Sequence, residues 1–316
     1  MGHNLSDTDC LGAEIGVYCA GREIGKPVHI VIDNLTSAIR PIVESFKNNE
    51  EYPEDMFITS ERALSLCNDN TLIMVVDTNR PSYVECPGLL YKNRNIVVFD
   101  HHRQTEEVIE NPILSYIEPY ASSASEMIAE VLQYFAEKIV IHDIEADCIY
   151  AGILIDTQNF MTKTGVRTFE AAAFLRRNGA EVTRVRKMLR ENMETYKARA
   201  EVVRNAETFK DVFAISELEP HGDIESPTIV GAQAANELLN IVGIKASFVL
   251  TKFNDKIYIS SRSIDEINVQ SIMARLGGGG HLNIAGAQIQ SSNMDEVRAE
   301  LEQTIENMLE EGEIKL

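Results

Sequence analysis

The sequence predicts an α/β protein of two domains: a larger one with a mainly parallel sheet flanked by helices, and a smaller mixed α/β one, joined by a helical linker. Three observations predict it. Apolar, β-branched runs stop abruptly at acids, in Val75-Val76-Asp77 and in Val97-Val98-Phe99-Asp100, as buried parallel strands do where their carboxyl ends open into a site. Helical patterns alternate with these runs through the first half of the chain. Beyond residue 210 the texture changes to short strands and a tight hairpin. The domains fall at residues 1–193 and 211–316, with the linker at residues 194–210, where charges of both signs alternate.

A chain of 316 residues can bury two cores, and 44% hydrophobic with 25% charged residues is the balance of a globular protein. The net charge of -20 argues against a partner such as long nucleic acid, which is held by a basic surface. A small anion can still bind through metal ions or a local cluster of donors. Cys10, Cys19, Cys67, Cys86 and Cys148 contain no Cys-x-x-Cys pair, which favours buried thiols in a reducing compartment over disulfides or a zinc knuckle. No apolar run has the length of a membrane span and no signal peptide precedes the first motif. The expectation is a soluble, cytoplasmic segment without membrane contact. Met1-Gly2-His3 enters polar sequence with no strand before it, which suggests a piece of a longer protein.

In chain order, His3-Asn4-Leu5-Ser6-Asp7-Thr8-Asp9 brings one imidazole and two carboxylates to the start of a small-residue helix, where either Asp also makes a good N-cap. Residues 28–33 read as a strand, with His29 packed or at an edge. Residues 34–70 read as helices and turns, followed by the strand that ends at Asp77. The run from Asn95 to Phe99 exits into Asp100-His101-His102-Arg103, and packing alone asks for none of these four. Ser122 or Ser123 with Glu126 resembles a capping box, although a hydroxyl-rich helix start is also an anion site. A buried helix over residues 144–155 delivers Asp156, and a further helix over residues 168–178 stops at Gly179. Arg176, Arg177, Arg184, Arg186, Lys187 and Arg190 read as a solvated helical face.

In the second domain, strands are expected at residues 212–215, 246–253 and 256–261, the last two joined at Asn254-Asp255, with helices at residues 228–240, 269–276 and 294–311. Gly277-Gly278-Gly279-Gly280-His281 has more glycine than a helix stop needs and reads as a loop whose N–H groups can approach a phosphate or base.

His3, Asp7, Asp9, Asp77, His101 and Asp156 form an oxygen-rich, thiolate-free donor set suited to Mn²⁺ or Mg²⁺. Six ligands exceed what one ion with an open position needs, and two ions sharing a carboxylate use them comfortably. Paired ions clamp a phosphoryl group and activate water.

With these residues assembled, Asp100-His101-His102, His3-x-x-x-Asp7-x-Asp9, Asp77, Asp156 and the Gly-Gly-Gly-Gly-His loop resemble the DHH phosphodiesterases over nearly the whole chain. Val76-Asp77-Thr78-Asn79-Arg80-Pro81-Ser82 and Glu118-Pro119-Tyr120-Ala121-Ser122-Ser123 are most similar to the GdpP-type cyclic di-AMP phosphodiesterases. The resemblance implies two Mn²⁺ ions, one held by His3, Asp7, Asp77 and Asp156 and the other by Asp9, Asp77 and His101. It implies a catalytic group of Asp77, Asp100 and His102. Substrate contacts are implied for Arg103, Ser122, Ser123, Arg262, Ser263, Gly278, Gly279, Gly280 and His281, with the cyclic dinucleotide between the domains. Family members carry membrane helices and sensory domains ahead of this unit, so the whole protein is expected to be membrane-anchored, facing the cytosol. A homodimer is compatible with the sequence.

Three positions depart from the pattern: Asn4-Leu5-Ser6 stands for Lys-Asn-Pro, Asn79 for His, and Gly286-Ala287 for Ala-Thr. The expected reaction is hydrolysis of cyclic di-AMP to the linear dinucleotide pApA. The alternatives are a short-oligonucleotide hydrolase or pAp phosphatase on the same fold, and a nucleotide-binding sensor without turnover.

Overall fold

The computed structural model describes residues 1–220, 224, 226–264 and 267–315. They divide into two compact units, residues 1–190 and 191–316.

The first unit runs α1 (Thr8–Glu23), β1 (Ile30–Val31), α2 (Arg40–Lys47), β2 (Phe57–Ile58), α3 (Ser60–Leu66), β3 (Ile73–Val76), α4 (Pro87–Lys92), β4 (Ile96–Asp100), β5 (Leu114–Ile117), α5 (Ala124–Phe135), α6 (Asp143–Asp156), α7 (Val166–Arg177) and α8 (Val182–Met188). Strands β3, β4 and β5 form a parallel sheet with β4 in the middle. Val76, Val97 and Phe99 bury against α1, α5 and α6, while Ile73, Val75, Ile96 and Val98 bury on the opposite face with α3 and α4. Coverage on both faces explains why these strands are continuously apolar rather than alternating. The strand expected over residues 28–33 is laddered only at Ile30 and Val31, which pair in parallel with β2 as a separate two-stranded sheet. Residues 1–4 run beside β3: the Met1 nitrogen donates to the Met74 carbonyl (2.9 Å), Val76 N–H to the Met1 carbonyl (3.1 Å), and Glu85 N–H to the Gly2 carbonyl (2.9 Å).

Helices α1, α5 and α6 approach one another closely because small residues face the crossing. A methyl group on Gly152 would stand 2.2 Å from the Ser125 hydroxyl and 3.0 Å from the Asp9 Cα, and one on Gly12 would stand 2.4 Å from the same hydroxyl. The basic series is not simply solvated. Arg184 pairs through Nε with buried Asp147 (2.5 Å), and Arg176 donates to the Ala180 carbonyl (2.5 Å), because the turn after Gly179 brings α8 back along α6.

The second unit comprises α9 (Met193–Arg204), β6 (Glu207–Phe209), β7 (Phe213–Leu218), α10 (Pro227–Leu238), β8 (Ala246–Phe253), β9 (Lys256–Ser263), α11 (Val269–Arg275), β10 (Gly279–His281), β11 (Ile284–Ile289) and α12 (Met294–Glu310). Its mixed sheet has the order β10-β11-β9-β8-β7-β6, with β7–β8 parallel and the other pairs antiparallel. One face packs under α9 and α10 and the other under α11 and α12. The expected linker helix is α9, and Val202 is buried with Ala234, Ala235 and Leu238 of α10, so it belongs to this unit's core. Asn254 and Asp255 turn the β8–β9 hairpin with positive φ of 50° and 57°.

The glycine stretch is not a free loop. Gly279, Gly280 and His281 form β10, paired with Gly286, Ala285 and Ile284. A Cβ on Gly278 would lie 2.2 Å from the Gly286 carbonyl oxygen, and one on Gly280 (φ +143°) 2.5 Å from that of Ile284. The glycines therefore serve close backbone pairing first.

Replacing Gly152 by Ala should cost about 1–3 kcal/mol, since the added methyl has to displace Ser125 or Asp9. Thermal denaturation reads this, and an unchanged Tm would show that the three helices yield without strain.

Candidate metal centre

The registers of β3 and β4 decide what meets at their exits. Val76 pairs with Phe99, so Asp77 emerges opposite Asp100 and His101. Asp77 has φ +59°, a left-handed conformation that Asp tolerates better than most side chains, and it turns the chain away from the sheet. Its N–H donates to the Phe99 carbonyl at 2.9 Å.

Asp77 is the hub. Its Oδ2 lies 3.4 Å from His3 Nε2, and its Oδ1 lies 3.3 Å from His101 Nε2 and 3.7 Å from His102 Nδ1. His101 Nε2 also faces Asp9 Oδ2 at 3.8 Å and Asp156 Oδ2 at 3.5 Å. Asp9, in the first turn of α1, is 1% exposed, and its two oxygens accept the N–H groups of Ala124 (2.7 Å) and Ser125 (2.9 Å) at the start of α5. Asp7 is the N-cap of α1, its Oδ1 accepting from Asp9 and Cys10 N–H (3.0 Å each) while standing 3.8 Å from His3 Nε2.

The donor set fits divalent ions. Asp77 Oδ1 is buried and accepts no hydrogen bond, so its lone pairs are directed at imidazole nitrogens too distant to satisfy them. Donor atoms of Asp9, His101 and Asp156 lie within 4.8 Å of one another, as do those of Asp77, His101 and His102, and those of His3, Cys10 and Asp77. This grouping corrects one expectation. Asp156 stands with Asp9 and His101 rather than with His3, because α6 packs Gly152 against Asp9 and so ends on that side. Cys10 was legible only as a buried thiol, and nothing in its spacing pointed to His3.

Protons hold the acidic cluster together where cations are absent. Burial would depress both imidazoles, but Asp7 and Asp77 beside His3 raise it to about 10, and Asp77 with Asp9 and Asp156 raises His101 to about 9. Burial lifts Asp9 well above the carboxylate range, helped by Asp77 and Asp156. Burial also leads at Asp156, which rises to about 6 against the opposing pull of His101 and Lys163. Asp77 is also buried, yet His101 and His3 outweigh this and hold it well below the usual range.

Beyond the cluster, Asp100 is fully buried and its Oδ1 accepts from the His102 N–H (3.1 Å) and faces His102 Nδ1 at 2.8 Å. Half of the His102 side chain is exposed, and Arg103 is exposed. Ser122 and Ser123 are fully buried: Ser123 caps α5 by accepting the Glu126 N–H (3.0 Å), and the Ser122 hydroxyl donates to the Glu126 carboxylate. Both hydroxyls are engaged with Glu126 and are not open to a ligand, which corrects the substrate role expected of them.

In the second unit, Arg262 pairs across strands with Ile284, which pairs with His281, so the three share a face. Arg262 donates from Nε to Asn236 Oδ1 of α10 and from Nη1 to the Ser261 carbonyl, both at 2.9 Å. Ser263 is buried on the other face, and among the described residues its hydroxyl has no hydrogen-bond partner. It is one residue out of step with Arg262, so the expected contact of Ser263 with the same ligand does not hold.

At pH 7 both His3 and His101 carry a proton that has to leave before the ring can ligate. Mn²⁺ binding should therefore release at least about two protons and tighten as the pH rises towards 9. Calorimetric titration in two buffers of different ionisation enthalpy measures this, and a buffer-independent heat would show that both rings are already neutral before the ion binds.

The DHH family, N-terminal domain, matches residues 1–153, and the DHHA1 domain matches residues 213–307. The chain is 39% identical over 315 residues to the Bacillus subtilis cyclic-di-AMP phosphodiesterase GdpP, covering 99% of this chain and 48% of that protein. It is 39% identical over 305 residues to the Listeria monocytogenes cyclic-di-AMP phosphodiesterase PdeA, covering 95% and 46%. It thus spans about half the length of these curated relatives. A crystal structure of an exopolyphosphatase-related protein from Bacteroides fragilis shares the fold, with a TM-score of 0.79 at 21% identity over 97% of this chain and 91% of that one. The chain belongs to the DHH family, a DHH domain followed by a DHHA1 domain.

Proposed function

We propose that the chain is a divalent-metal-dependent phosphodiesterase that hydrolyses cyclic di-AMP to pApA. The observation that carries this reading is the buried, unpartnered Asp77 Oδ1 set among imidazoles and carboxylates. The names of the relatives supply the substrate.

In this reading His3, Asp7 and Asp77 would hold one divalent ion, and Asp9, Asp77, His101 and Asp156 the other, either Mn²⁺ or Mg²⁺. Two such ions supply the positive charge that draws a phosphodiester into an acidic site and make water acidic enough to attack it. The chain's own residues do the rest. His102, held through Nδ1 by Asp100, presents Nε2 to the phosphate. As the water oxygen bonds to phosphorus and the bond to the 3′ oxygen breaks, His102 gives that oxygen a proton, and the proton lost by the water replaces it. Arg103, just beyond, would meet phosphate charge. The face bearing Arg262 and His281, beside the closely paired Gly278, Gly279 and Gly280, binds the nucleotide. A binding protein without turnover has no use for so complete a ligand set.

Purified protein with Mn²⁺, offered cyclic di-AMP, cyclic di-GMP, pApA and pAp, should convert the first to pApA. Cleavage of pApA or pAp alone would favour the oligonucleotide hydrolase, and binding without turnover the sensor. Asp77→Asn should lower kcat at least about a thousandfold, since neither ion keeps its shared carboxylate. Near-normal kcat in that variant would remove the two-ion reading. Arg262→Ala should raise KM roughly tenfold with Mn²⁺ affinity unchanged, as a guanidinium binds phosphate and not metal. An unchanged KM for every nucleotide would remove Arg262 from the binding face.

A further inference from the structure

Asn79 is buried between the two strand exits and belongs to neither ion's ligand set. Its backbone is fixed, the carbonyl accepting the Ile109 N–H at 2.9 Å. Its Nδ2 donates to Asp100 Oδ2 and approaches the His102 carbonyl at 3.5 Å. Its Oδ1 is buried and has no partner. Leaving an amide oxygen unpaired is unfavourable, and the amide keeps this orientation because the reverse would set that oxygen against the Asp100 carboxylate. Asp100 thus has a donor on each oxygen, Asn79 on Oδ2 and His102 on Oδ1. Without Asn79 the carboxylate could rotate about its own axis, and the ring it holds would turn with it.

We propose that Asn79 is a positioning residue for phosphodiester hydrolysis: through Asp100 it fixes the His102 ring, so that Nε2 meets the leaving oxygen. The placement supports this in a second way. Asn79 lies two residues beyond Asp77, which leaves β3 in a left-handed conformation, so one short stretch carries both the shared carboxylate and the clamp on Asp100.

The inference rests on the phosphodiesterase reading, and the test separates the two. Asn79→Asp keeps the shape but replaces the donor by an acceptor, and Asn79→Ala removes the clamp without adding charge, so it carries the test if the Asp variant does not fold. In a folded variant, kcat on cyclic di-AMP should fall roughly 10- to 100-fold, with KM and Mn²⁺ affinity within about threefold of the parent. On bis(4-nitrophenyl) phosphate, whose leaving group needs no proton, the loss should be about threefold or less. In a His102→Asn background the same substitution should add nothing further. An unchanged kcat on cyclic di-AMP, an equal loss on both substrates, a loss that appears only in KM, or losses that multiply with His102→Asn would each overturn the proposal. If the parent protein leaves cyclic di-AMP intact, the phosphodiesterase reading fails instead.

Discussion

The first unit depends on where one buried carboxylate is held. Asp9 sits in the first turn of α1, yet its oxygens take the N–H groups that begin α5, more than a hundred residues later. A helix N-terminus carries partial positive charge and unsatisfied donors, so this contact answers two needs at once. It lets a carboxylate stay buried, and it completes the cap that Ser123 begins from within α5. Because α6 packs its Gly152 against the same residue, three helices take their positions from Asp9. Asp156 at the end of α6 and His101 at the end of β4 then converge on it.

The price of the convergence is electrostatic. Asp9, Asp77 and Asp156 cannot all carry charge side by side in a largely buried space, and the shifts show how the strain is shared. Asp9 and Asp156 rise, while Asp77 stays low because two imidazoles rise around it. Bound cations answer the same imbalance without protons. An overall charge of -20 is therefore compatible with the proposed binding of a phosphodiester, since the attraction would be local and would arrive with the ions.

The fold class was legible because buried parallel strands leave an unmistakable trace, four or five apolar residues cut off by an acid, and Asp77, Asp100 and His101 were found through it. Asp9 and Asp156 were legible as ends of apolar elements, but their pairing depends on how tightly α1 and α6 approach, which glycine spacing hints at without fixing. The role of Ser122 and Ser123 was ambiguous because a capping box and an anion site use the same atoms, and only burial separates them. The glycine run resembled a loop because composition does not reveal that Gly280 lies against the Ile284 carbonyl. Asn79 stood out only as a departure from the family pattern, and its role was not legible because a neutral amide after a strand is ordinary until its partner, distant in sequence, is known.

The left-handed backbone of Asp77 narrows the substitutions this position can accept. Most side chains at φ +59° crowd the neighbouring carbonyl, so a replacement loses the turn as well as the carboxylate. Glutamate keeps the charge but adds a methylene and lacks the short reach with which aspartate bonds to its own backbone in such turns. Asparagine keeps the turn and loses the charge. Drift at this codon therefore has few paths that preserve either property and none that preserve both, so the conformation of one residue guards the chemistry of the whole centre.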